Sequence, residues 1–171
     1  MRVSRGCRLK NSSHCDRATG WEYTRRTARR GTPGRAIRLC AGRTKWTLLQ
    51  PGDAALVPSP SYPIHIYGPL FAGADIREVP LGTGQDFFDN LREQWEYSWP
   101  KPRVIVMSFP HNPTTTCVDL DFMQKVVDFA REHDVVVVHD NAYADIGFDG
   151  YRPPSILQAE GAKEVAVELY S

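Results

Sequence analysis

The chain has 171 residues, of which 42% are hydrophobic and 24% charged, and its 21 Lys+Arg against 20 Asp+Glu give a formal net charge of +1. That length suits one ordinary domain able to fold without disulfides or metals. The four cysteines include no C-x-x-C pair, so zinc and dithiol redox chemistry lack a motif. No apolar run approaches the ~18 residues of a membrane span, and the start lacks the apolar stretch of a secretory signal. The expected setting is the cytoplasm, where thiols stay reduced.

The balanced total hides two unlike parts. Residues 1–45 hold 13 of the 21 basic side chains and only Asp16 and Glu22 as acids, a local charge of +11, which leaves residues 46–171 at −10. No helical or strand period is sustained in the first part, and the run from Arg25 to Arg35 mixes charge with Gly and Pro, so little apolar surface can be buried there. Four readings compete: a disordered basic arm, an Arg-rich transit peptide without a clean amphipathic helix, a nucleic-acid arm without interleaved aromatics, and translation in a wrong frame. The division drawn is residues 1–45, disordered or out of frame, and residues 46–171, one α/β unit.

From Trp46 onward apolar runs alternate with amphipathic stretches. Pro51-Gly52-Asp53 is a turn before a short strand at Ala54–Val57; residues 64–73 read as a helix and Ile76–Val79 as a second strand. Phe87, Phe88, Leu91, Trp95 and Trp99 suit a helix over Asp86–Trp99, ended by Pro100 and Pro102. Residues 103–108 form a buried strand. Asp119 caps a helix with Leu120, Met123, Val126, Val127 and Ala130 on one face. Val135–Val138, four β-branched residues without alternation, predict a strand covered on both faces. A last strand is expected at 165–170. Strand, helix and strand in succession imply right-handed crossovers and a mainly parallel sheet.

Ligands of such sheets bind beyond the carboxyl ends of the strands. That rule selects Phe109 to Thr114, His139 to Tyr143, and Ser171. Singly, each has an ordinary reading: an Asn-Pro turn, a helix-capping Asp, a packing Tyr, a terminal Ser. His111 and His139 read as surface or packing residues.

In order and spacing, however, these residues resemble the cofactor site of fold type I pyridoxal-phosphate-dependent aminotransferases, of class I/II. Pro58-Ser59-Pro60-Ser61-Tyr62-Pro63 is similar to the segment whose aromatic, here Tyr62, lies over the pyridine ring. Asn112-Pro113-Thr114 matches a motif whose amide meets the 3′-oxygen, and Asp140 with Tyr143 matches the pair for the ring nitrogen and that oxygen. Ser171 falls on the first serine of a Ser-x-Ser-Lys phosphate motif. The wording at 61–68 and 140–150 most resembles the branch of alanine transaminases and LL-diaminopimelate aminotransferase.

The resemblance implies the partial large domain of such an enzyme, with pyridoxal 5′-phosphate as cofactor, amino acids and 2-oxo acids as substrates in the intact family, a homodimeric family assembly, no membrane, no metal and no expected nucleic acid. It also implies a carboxylate, Asp140, that keeps the pyridine nitrogen protonated, with Tyr143 and Asn112 stabilising the oxygen anion. The sequence stops before the family's Schiff-base lysine and lacks its upstream glycine-containing turn, so no residue is assigned as catalytic and inactivity of this chain is expected. The competing readings are a non-catalytic α/β protein with a basic nucleic-acid-binding arm and, more weakly, a phosphate-handling hydrolase using Asp140 and Asp145.

Overall fold

The computed structural model describes residues 48–82, 84 and 86–170, with the backbone of three short strands, β1 (His14–Asp16), β2 (Trp21–Tyr23) and β3 (Ile37–Arg38). These three pair antiparallel in the order β1-β2-β3. The rest of the arm expected over residues 1–45 lies outside the described residues.

The main unit begins where Pro51 and Gly52 turn the chain into β4 (Ala54–Ser59), whose first five residues are buried. α1 (Pro63–Phe71) returns the chain to β5 (Asp75–Pro80). The two turns entering β4 and β5 clasp each other: the Gly52 amide donates to the Gly73 carbonyl at 3.0 Å, and the Asp75 amide to that of Asp53 at 2.8 Å. Gly73 is required there, because its φ is +80° and a Cβ would stand 3.0 Å from the Pro51 Cα.

α2 (Phe87–Tyr97) starts on Asp86, which accepts from the Phe88 amide, and stops at Ser98, short of the expected Trp99. Pro100 disfavours helical backbone just before it. β6 (Val104–Met107) is buried throughout. α3 (Leu120–His133) is capped by Asp119 as expected, carries Asp121 in its first turn and Arg131 and His133 in its last, and ends on a left-handed Asp134. β7 (Val136–Asp140) follows, so Asp140 is the last residue of the strand rather than part of the loop beyond it.

Two elements escaped the sequence reading: a 3-10 turn at Ile156–Gln158 closed by a capping box, and a one-turn helix, α4 (Ala162–Val165). α4 takes Val165 out of the expected last strand, which is β8 (Ala166–Leu169).

All pairings in this sheet are parallel, in the order β5-β4-β6-β7-β8. Alternate residues feed two cores. Leu56, Ile105, Met107 and Val137 pack with α2 and α3, whereas Ala55, Val57, Val104, Val106 and Val138 pack with Ile66 of α1. Crossovers of one hand that run in opposite directions along a sheet land on opposite faces. α1 leads toward β5 and α2 and α3 lead toward β8, which is why the β-branched strands are covered twice. Among the described residues, no helix is long and apolar enough to cross a membrane.

Met123 is 0% exposed in the first core. Met123→Ala is expected to lower stability by about 2–5 kcal/mol. Asp119→Ala, which removes only the 2.9 Å cap to the Phe122 amide, is expected to cost about 1 kcal/mol. Denaturant midpoints of the two variants at equal m value test that ordering.

Candidate cofactor-binding site

The chain leaves β4 toward β5 and returns across it to β6, so the loops after β4 and β6 diverge at their carboxyl ends and open a crevice. Three segments line that rim: the start of α1, the loop after β6 and the end of β7.

The first contributes Tyr62 and His65. Tyr62 is the N-cap of α1 with Pro63 behind it and is 47% exposed. Its ring meets that of His65 edge-on, with centroids 5.9 Å apart. His65 is 2% exposed and bridges two polar groups: Nε2 lies 3.0 Å from Asp140 Oδ2 and Nδ1 lies 3.3 Å from Ser61 Oγ. The Asp140 carboxylate is thus oriented through one oxygen, and its other oxygen has no hydrogen bond among the described residues.

The second segment is a tight turn. The His111 amide donates to the Thr116 carbonyl at 2.9 Å, the Thr115 amide to that of His111 at 2.7 Å, and Thr115 takes a left-handed φ of 57°. Asn112 at its tip donates from Nδ2 to the Tyr143 hydroxyl at 3.0 Å. Tyr143 stands in the turn after β7, where the Ile146 amide donates to its carbonyl. The Asn-Pro pair is therefore both a turn and a carrier of the site. Beside it lies an open groove of about 450 Å³ lined by Pro110, His111, Asn112, Pro113, Tyr143 and Phe148, among others.

Of the five residues selected from the sequence, Tyr62, Asn112, Asp140 and Tyr143 lie on this rim, Asn112 touching Tyr143 and Asp140 linked through His65 to the Tyr62 segment. Ser171 lies outside the described residues. Asp140 and Asp145, considered together for hydrolysis, have different partners: Asp140 holds His65, and Asp145 accepts from the Tyr170 hydroxyl.

His65 was missed. Its only signal was its place in the first turn of a helix, four residues after Ser61. His111 and His139 are packing residues in position, at 3% and 0% exposure, but both are hydrogen-bonded. His111 Nδ1 meets Thr114 Oγ1 at 2.8 Å, while Nε2 is buried with no partner among the described residues. Burial, aided by the charge of His65, lowers its pKa from 6.5 to about 4. Glu168, facing His139 from β8, behaves oppositely: burial opposes its ionisation, but the hydrogen bond and charge of His139, with Ser155 and the Ile156 amide, outweigh burial and hold the carboxyl below its usual range.

Because folded His111 refuses a proton that the unfolded chain takes up, its contribution is complete above pH 6.5 and is lost as pH falls toward about 4. The loss is expected to reach roughly 1–3 kcal/mol. Urea unfolding at pH 7 and pH 5 should show the wild type losing more stability than His111→Gln.

The arrangement has relatives of known sequence and structure. A family model described as aminotransferase class I and II matches residues 41–171. Glutamate-pyruvate aminotransferase AlaC of Escherichia coli is 54% identical over 123 residues, covering 72% of this chain and 30% of its own. LL-diaminopimelate aminotransferase of Dehalococcoides mccartyi is 42% identical over 130 residues, 76% of this chain and 34% of its own. Both names fall in the branch that residues 61–68 and 140–150 resemble. The substrate-bound BacF structure from Bacillus subtilis superposes with a TM-score of 0.68 at 38% identity, over 77% of this chain and 33% of that one. The chain spans about a third of the length of the relatives it matches. It belongs to the class I and II aminotransferases.

Proposed function

We propose that the rim formed by Tyr62, His65, Asn112, Asp140 and Tyr143 binds pyridoxal 5′-phosphate, the cofactor with which intact relatives transfer amino groups between amino acids and 2-oxo acids, while this chain alone does not catalyse the transfer. The observation that carries this reading is the pairing of an oriented carboxylate, Asp140 on His65 at 3.0 Å, with two hydroxyl and amide donors, Tyr143 and Asn112, that meet at 3.0 Å on the neighbouring loop. The donor set fits the cofactor: a carboxylate oxygen without a partner among the described residues for the ring N–H, and an N–H and O–H converging where an oxygen anion would be held.

When bound, the cofactor supplies an electron sink for the carbanion formed at an amino acid's α-carbon. Asp140 favours the protonated ring nitrogen by direct charge pairing, and His65 fixes the direction of that carboxylate. Asn112 and Tyr143, already in contact at 3.0 Å, would hold the ring oxygen by hydrogen bonds and so orient the ring. Tyr62, half exposed at the mouth, offers a face for stacking that limits tilt. Ser171 is assigned to the phosphate by resemblance alone. The homodimer and the amino and oxo acid substrates of intact relatives are part of the same proposal, with nucleic acid and membrane playing no part. A free, exposed Cys117 suits the reducing cytoplasm.

Titrating the full chain with pyridoxal 5′-phosphate and following the cofactor's absorbance is expected to give one saturable site. Asp140→Asn should weaken it about tenfold or more, the loss of a charge-assisted contact. Tyr143→Phe should shift the absorbance of the bound cofactor. No saturable site in the wild type, or equal affinity for Asp140→Asn, would falsify the assignment.

A further inference from the structure

Behind the rim, on the seam between β7 and β8, lies a pair for which the proposed chemistry has no use. His139 and Glu168 are register partners across the parallel ladder, both side chains 0% exposed, with Nδ1 3.3 Å from Oε2. The other ring nitrogen of His139 reaches the Phe109 carbonyl at 3.2 Å, and Glu168 Oε2 also accepts from the Ile156 amide at 3.0 Å. With Glu168 ionised, both ring nitrogens face acceptors, and only the doubly protonated ring donates to both. The pair therefore joins four segments: the loop after β6, β7 one residue before Asp140, β8, and the 3-10 turn.

Such a pair is a poor device for stability alone, because desolvation offsets most of the attraction and apolar residues of similar volume do as well. What apolar residues cannot supply is direction. Phe109 is three residues ahead of Asn112, and its own ring is 1% exposed in the core. A donor on its carbonyl fixes where the Asn112 turn leaves the sheet. The same donor is carried by the residue beside Asp140, so the two halves of the ring site are referenced to one imidazole. Glu168 orients that imidazole through Oε2 alone, since Oε1 is buried with no partner among the described residues.

We infer that His139 and Glu168 are positioning residues that hold the Asn112 turn in register with Asp140, and thereby set the affinity for pyridoxal 5′-phosphate; the cofactor half of this inference rests on the proposed function above. His139→Phe keeps ring bulk and removes both donors, His139→Gln keeps one amide donor for Phe109, and Met123→Ala serves as a destabilised core control. Amide exchange over residues 109–116 and pyridoxal 5′-phosphate titration are measured on the full chain for each. His139→Phe is expected to speed exchange in that turn and weaken binding about tenfold, as a buried acceptor left unpaired would. Met123→Ala should loosen the chain without singling out the turn, and His139→Gln should recover most of the protection. Exchange in the turn that stays at the wild-type rate, or rises no more than in Met123→Ala, overturns the inference. Should His139→Phe fail to fold, the isosteric Glu168→Gln carries the same test, and an unchanged turn again overturns it. If the wild type binds no cofactor, the proposed function and the affinity half of this inference both fail, while the exchange result still decides the tether.

Discussion

The reversal of strand order between β4 and β6 is the constraint on which the rest depends. It sends α1 to one face of the sheet and α2 and α3 to the other, so β4, β6 and β7 are covered on both faces while the loops beyond their carboxyl ends diverge. It also brings together residues that the chain keeps far apart. His65 and Asp140 are separated by 75 positions and Asn112 and Tyr143 by 31, distances over which loop closure costs entropy before any contact is made. A site of this kind is affordable only because the two cores have already fixed the ends of the strands. The polar contacts at the rim orient side chains; they do not bring the segments together.

That division of labour explains what could be read from the residues. Val104–Met107 and Val135–Val138 announce buried strands because no polar residue interrupts them, and Asp119 announces α3 because a cap is a local device needing only its own helix. The order of Tyr62, Asn112, Asp140 and Tyr143 along the chain was legible as a resemblance, and the strand-end rule put three of them on one rim. Which of them touch was not legible. The Asn112 to Tyr143 hydrogen bond depends on how two loops leave neighbouring strands, and neither loop encodes the other's direction. His65 left no pattern because one histidine in a nine-residue helix has no period. The same holds for α4, where four residues after a left-handed Gly161 are too few to show a helical face, so Val165 read as strand.

The histidines show why burial and function are not alternatives here. His65, His111 and His139 are each at or below 3% exposure, so the packing expected of His111 and His139 describes their location. Packing does not describe what they do, because a leucine would fill the same volume without desolvating two nitrogens. Each histidine instead places a directional bond at a point where the backbone turns: His65 on the carboxylate ending β7, His111 inside the Thr114 turn, His139 on the carbonyl that precedes it. Their partners differ. His111, bonded to a hydroxyl, is held neutral by burial down to about pH 4, whereas His139 faces the Glu168 carboxylate and the Phe109 carbonyl. The rim is thus referenced to three imidazoles within a few residues of Asn112 and Asp140, and the one on the strand seam, turned away from the ligand crevice, is free to act on the backbone alone because its side chain is fully buried against Glu168.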